Sequence, residues 1–120
     1  LTYLDLSQNQ IKDLRPLKSL TNLTYLDLSQ NRIRDINCLE YLEENLIDLD
    51  LSNNSIVLVP PFWSSILDTF NLSNNNITDF IQLVPYGECP TSLDLRNNPG
   101  YNREFLYSEN YDKVGYMGSF

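Results

Sequence analysis

The sequence predicts an α/β solenoid: a parallel sheet on a concave side and short 3₁₀ or helical returns on a convex side. Three observations predict it. Asn9, Asn31, Asn54, Asn75 and Asn98 recur at spacings of 22, 23, 21 and 23 residues, and a fixed period in the twenties marks stacked repeats. Each asparagine closes the same phrase, in which two apolar residues stand two apart, as in Leu4 and Leu6 or Leu49 and Leu51. Between phrases, apolar residues return at every third position, as at Ile11, Leu14, Leu17 and Leu20.

Each element follows from one of these patterns. The paired leucines point to one side of a short strand, because side chains alternate with period two. Stacked copies then bury them under a parallel sheet. The three-residue spacing suits a 3₁₀ or short helical return. Pro16, and the pair Pro60 and Pro61, stand where such a turn starts, and proline is tolerated in a first turn. The five asparagines sit where the chain turns inward, so their amides are expected to bond backbone groups that burial would otherwise leave unpaired. The expected units are 1–22, 23–45, 46–66, 67–89 and a partial 90–98, followed by a segment 99–120. That last segment opens with Asn98-Pro99 and carries Tyr101, Phe105, Tyr107, Tyr111 and Tyr116. It reads as a cap over the last repeat, which a solenoid requires, or as a tail toward a further domain.

The phrases LTYLDLSQN (1–9 and again 23–31), LIDLDLSNN (46–54), LDTFNLSNN (67–75) and PTSLDLRNN (90–98) resemble the leucine-rich repeat. The resemblance is to its short form of internalin-like and phosphatase-regulator-like proteins. Repeats one and two fit at every apolar site. Repeat three substitutes Val59 and Phe62, repeat four drifts to Phe70, Phe80 and Leu83, and repeat five keeps only Leu93, Leu95 and Asn98. The glycine–isoleucine–proline element of longer plant-type repeats is missing. The resemblance implies a leucine-rich repeat solenoid that binds a protein. Leu1 already stands at the first consensus position, which suits a piece of a longer solenoid.

Charge narrows the partner. Net charge is −8, from 16 acidic and 8 basic residues. Lys12, Arg15, Lys18, Arg32 and Arg34 all fall in the first two returns, whereas residues 46–98 hold Arg96 as their only basic residue. A field of this sign disfavours nucleic acid and anionic membrane, which need clustered Lys and Arg. No apolar run approaches the ~20 residues of a membrane-spanning helix, so no membrane insertion is expected. Cys38 and Cys89 lie about two repeats apart, too far for a mutual disulfide. The absence of cysteine-rich caps leans weakly to a reducing compartment, or to a bacterial origin, and leaves secretion or a cell surface open.

Three outward columns emerge on the concave side. Position three reads Tyr3, Tyr25, Asp48, Thr69, Ser92; position five reads Asp5, Asp27, Asp50, Asn71, Asp94; position seven reads Ser7, Ser29, Ser52, Ser73, Arg96. The expectation is an acidic ladder beside a hydroxyl ladder, with two stacked tyrosines at one end. The candidate contact residues are Tyr3, Asp5, Tyr25, Asp27, Asp48, Asp50, Asn71, Asp94 and Arg96. A plain reading stands beside this one: Asp and Ser are the commonest soluble filling of the consensus. One carboxylate per repeat is a sparse supply for calcium, so no metal is expected. Trp63 is a candidate second contact on the convex side.

No catalytic residue is assigned. The chain has no histidine, which excludes histidine-based acid–base work within it. It carries no phosphate-cradling glycine loop or metal-spaced cysteine pair. No cofactor and no small-molecule substrate are expected. Two functional readings remain: an interaction module docking a basic or polar protein, or the recognition arm of a larger enzyme or surface adhesin.

Overall fold

The computed structural model describes residues 1–60, 66–80 and 90–101. Pro61, Phe62, Trp63, Leu83, Cys89 and the segment 102–120, with its aromatic residues Phe105, Tyr107, Tyr111 and Tyr116, lie outside the described residues.

Each repeat contributes one three-residue strand: β1 (Tyr3–Asp5), β2 (Tyr25–Asp27), β3 (Asp48–Asp50), β4 (Thr69–Asn71) and β5 (Ser92–Asp94). They form one sheet in the order β1-β2-β3-β4-β5, every neighbouring pair parallel. The register aligns the repeats at equal consensus positions, so Leu4, Leu26, Leu49, Phe70 and Leu93 stand in one row. Alternation turns that row inward. Together with the next apolar row (Leu28, Leu51, Leu72, Leu95) it forms one wall of a continuous core. Leu4 and Leu6 are only half-buried, because β1 has a neighbour on one side alone.

The convex wall comes from the returns. A 3₁₀ turn spans Arg15–Leu17 with Pro16 in its opening turn, and a second spans Asn37–Leu42. Leu14, Ile36, Leu39 and Leu42 are buried from these segments. The three-residue spacing places them on one side because a 3₁₀ turn repeats every three residues. Repeats three and four make their return without a regular helix among the described residues, yet still bury Ile56, Val59, Ile77 and Phe80.

Position eight has a job that the consensus reading did not assign. Gln8, Gln30, Asn53, Asn74 and Asn97 all adopt a left-handed backbone, with φ between 56° and 58°. This reversal ends each strand and throws the chain inward. The position-eight amides of the first four repeats still donate to the next repeat's position-seven carbonyl, at 3.0 Å. Asparagine tolerates this region better than most residues, which accounts for its choice in repeats three to five.

The asparagine at position nine then ties neighbouring repeats together. Asn75 Nδ2 donates to the Leu72 and Ser73 carbonyls of its own repeat at 3.0 and 3.2 Å, and to Leu51 of the preceding one at 3.0 Å. Its Oδ1 accepts the Ile56 N–H at 3.0 Å. Asn31, Asn54 and Asn98 repeat this pattern, with Oδ1 accepting from Ile11, Ile33 and Ile77. Asn9 bonds only Leu6 and Ser7 of its own repeat and stays exposed. Beyond Asn98 the chain turns back on the core. The Gly100 N–H donates to the Ile77 carbonyl at 2.8 Å, and a Cβ at Gly100 would collide with the Thr78 carbonyl.

Replacing Asn75 by Ala leaves the Ile56 N–H without its acceptor, at ~1–3 kcal/mol for an unmet buried group. It also removes one of the donors to each of the Leu51, Leu72 and Ser73 carbonyls, at ~0.5–1.5 kcal/mol per lost bond. Those carbonyls keep Asn54, Asn98 and the Asn53 N–H. We expect Asn75→Ala to lower stability by about 3 kcal/mol or more, and Asn9→Ala by less than about 1 kcal/mol. Urea unfolding followed by circular dichroism checks both; equal losses would contradict the inter-repeat role.

Candidate functional site

The register sets the outward columns without further assumption. Tyr3 aligns with Tyr25, Asp48, Thr69 and Ser92; Asp5 aligns with Asp27, Asp50, Asn71 and Asp94. Parallel strands lie ~4.8 Å apart, so the position-five carboxylates form a closely spaced row across the concave face. At its β1 end the Tyr3 and Tyr25 rings stack, with centroids 4.1 Å apart and planes 3° from parallel. Tyr3 is 58% exposed. A hydrogen bond that the Tyr25 hydroxyl donates to Tyr3, partial burial and the nearby Tyr3, Asp27 and Asp5 push the Tyr25 hydroxyl up to about 12. Tyr25 therefore stays neutral at physiological pH.

Position five also serves the backbone. Oδ1 of Asp5, Asp27 and Asp50 accepts the N–H of Ser7, Ser29 and Ser52, each at 2.9 Å. Asp94 does the same for Arg96 at 3.1 Å. Each is an Asx turn, in which a side-chain oxygen mimics a backbone acceptor. Asn71 makes the same bond to Ser73 at 2.9 Å. The turn needs an acceptor oxygen, and an uncharged amide supplies it as well as a carboxylate does.

Two expectations at position seven change. The serines do not form an exposed hydroxyl ladder: Ser29, Ser52 and Ser73 are buried. The strand ends at position five, and the following turn carries position seven toward the core. Ser52 Oγ donates to Asp50 Oδ1, and Ser73 Oγ to Asn71 Oδ1, both at 2.7 Å. Arg96 is engaged within its own repeat: Nε donates to Asp94 Oδ1 at 2.9 Å and Nη2 to Oδ2 at 2.7 Å. This fork holds the Asp94 carboxyl below the usual carboxylate range and offsets its charge. The Ser7 hydroxyl and amide lower that of Asp5 in the same direction.

The remaining negative charge gathers at the middle of the face. Among the described residues the only ion pairs are Arg15–Asp13 and Arg96–Asp94, so Asp27, Asp48 and Asp50, on adjacent strands, are offset by no cation there. Asp48 accepts a hydrogen bond from the Thr69 hydroxyl. An open trough of ≈ 430 Å³ runs beside it, lined by Tyr25, Asp48, Asp50, Thr69, Asn71 and Asp94 among others. No group of three or more His, Cys, Asp or Glu among the described residues could hold a metal ion. No helix among them is long and apolar enough to cross a membrane. On the convex side Cys38 is half-buried with a free thiol. Arg15 forks onto Asp13, holding that carboxyl at about 2.

Comparison with known proteins agrees with this geometry. A two-copy leucine-rich repeat family model matches residues 1–41, and a single-copy leucine-rich repeat model matches residues 45–66. The chain belongs to the leucine-rich repeat proteins. Among solved structures, internalin C2 from Listeria monocytogenes superposes with a TM-score of 0.76 at 31% identity, covering 90% of this chain and 47% of that one. A second internalin from the same organism (inlF) gives a TM-score of 0.81 at 27% identity, covering 98% of this chain and 34% of that one. The chain thus spans less than half the length of either internalin. No curated protein sequence matches it. Leucine-rich repeats of this kind are typically non-catalytic modules for protein interaction.

The Asx turns give a direct test of what the leucine-rich repeat requires at position five. The double variant Asp27→Asn with Asp50→Asn keeps both acceptors and removes a like-charge pair, so it should unfold at the same urea concentration as the parent or a higher one. Asp27→Ala with Asp50→Ala removes both acceptors and should cost about 2 kcal/mol in total. Matching losses in the two variants would show that the charge itself supports the fold.

Proposed function

We propose that the chain is a protein-interaction module that docks a basic or polar partner on its acidic concave face. One observation carries the reading: Asn71 performs the turn role of its column without charge, so the charges of Asp5, Asp27 and Asp50 are not needed by the turn that holds them. Neighbouring carboxylates on an open face repel one another by roughly 1 kcal/mol per pair or less. A partner carrying Lys or Arg relieves that repulsion and is steered toward the face. Tyr3 and Tyr25 add large, rotamer-poor contact area at one end of the same surface. The contact set is Tyr3, Asp5, Tyr25, Asp27, Asp48, Asp50 and Asn71, with Asp94 and Arg96 closing it as a neutral pair. In this reading residues 1–98 are the repeats and 99–120 a capping segment or tail; Tyr101, near its start, packs against the core, which supports the cap.

A second reading keeps the same docking chemistry in a larger setting. Because the chain covers 47% and 34% of the two internalins, it also suits the recognition arm of a longer enzyme or surface adhesin.

The test compares the parent with a variant carrying Asp5→Asn, Asp27→Asn, Asp48→Asn and Asp50→Asn, after confirming that both fold. Each is immobilised and used to capture proteins from a lysate in low salt. Partners held by the parent should be lost from the variant, and should elute from the parent as salt rises past the ~8–10 Å screening regime. Equal capture by both forms would remove the acidic face as the docking surface.

A further inference from the structure

We propose that the trough beside β3 is an anchor site for one arginine side chain of the partner, whose guanidinium takes the next place in the Tyr3–Tyr25 stack. The inference rests on the docking reading above and names the group that the face selects. Its geometry starts from the column itself. Tyr3, Tyr25 and Asp48 occupy one register row on successive strands. One face of the Tyr25 ring is covered by Tyr3, and Tyr25 also lines the trough that contains Asp48 and Asp50. Beyond Asp48 the row shrinks to Thr69 and Ser92, which leaves space above the sheet where a third ring would otherwise continue the stack. The strand step of ~4.8 Å is close to a stacking distance. A flat group laid on Tyr25 therefore arrives directly over the carboxylates of repeat three.

The carboxylates are arranged to receive it. Asp48 and Asp50 are two residues apart on one strand, and so on one face. Each already spends Oδ1 inside the fold, on the Thr69 hydroxyl and on Ser52 respectively. Those bonds fix the carboxylate planes and leave Oδ2 of each outside the bonds that fix it. A planar cation with N–H groups on separate edges can reach two carboxylates at once while its face lies on an aromatic ring. Guanidinium has that shape; an ammonium is a compact, strongly hydrated point charge that does not. Toward β5 the site is closed by the Arg96–Asp94 fork, which places a resident cation there. The negative potential is therefore concentrated over Asp27, Asp48 and Asp50.

The experiment titrates the ¹⁵N-labelled full chain with two capped peptides of equal charge, hexa-arginine and hexa-lysine, in low-salt neutral buffer. The arginine peptide should bind about fivefold more tightly. Its largest amide shifts should fall at Asp48, Leu49 and Asp50, with ring-proton shifts at Tyr25. Tyr25→Leu should bring the ratio of the two affinities to about one while leaving lysine-peptide binding in place. Thr69→Lys, which replaces the Thr69 hydroxyl bond to Asp48 with a resident cation in the trough, should weaken both peptides and bring their ratio to about one without touching the ring. Equal affinities in the parent, with shifts spread along Asp5 and Asp27, would overturn the anchor and leave the docking face standing. No shift on the concave face with either peptide would overturn both.

Discussion

The asparagine amide at the end of each strand is the interaction on which the rest of the structure depends. A three-residue strand cannot hold a sheet by itself, and the returns offer little regular backbone bonding. Asn31, Asn54, Asn75 and Asn98 close that gap by joining two carbonyls of their own repeat to a carbonyl and an amide of the one before. The group is buried, small and carries both donors and an acceptor. Asp would lack the donors and Gln would need one more methylene in a packed wall. The apolar rows supply the general drive to collapse; the asparagines fix the step from one repeat to the next.

That arrangement leaves the outward side of the sheet available. With backbone groups met from within, the concave columns need only end the strand cleanly, and the Asx turn at position five does so. The charge on four of the five members is then additional to the fold. The same physics separates two kinds of acidic residue in this chain. Asp13 and Asp94 are followed two residues later by arginine and are clamped by it. Asp27, Asp48 and Asp50 have no such neighbour among the described residues; Asp48 and Asp50 line the trough, and Asp27 lies near Tyr25. The surface is thus graded along the solenoid: aromatic at β1, acidic at β3 and self-neutralised at β5.

The solenoid was legible in the sequence because its determinants are periodic. The interval between asparagines reports the repeat, the two-residue leucine pairs report the strands, and the three-residue spacing reports the returns. Columns three and five followed from alternation alone. The buried serines did not, because alternation was extended to position seven when the strand stops at position five and a left-handed residue at position eight redirects the chain. A signal was present: Gln8, Gln30, Asn53, Asn74 and Asn97 are all residue types with an amide side chain, and three are asparagine, the type most tolerant of positive φ. The Arg96 fork was also readable, since Asp13-Leu14-Arg15 and Asp94-Leu95-Arg96 share one spacing. What spacing does not convey is the direction of each carboxylate. The double use of position five, for a turn and for a surface, appears only once the backbone N–H groups are in place.

Side-chain amides, rather than strand ladders alone, hold the repeats in step. Amide hydrogen exchange tests it most directly. The N–H groups of Ile11, Ile33, Ile56 and Ile77 lie outside every strand yet donate to an asparagine Oδ1 at 3.0–3.1 Å. If the asparagine amides carry the stack, Ile33, Ile56 and Ile77 exchange as slowly as the sheet amides Leu28 and Leu51, which bond the next strand at 2.8 Å. Exchange of these three at the rate of exposed turns, with the sheet amides still protected, would contradict the account.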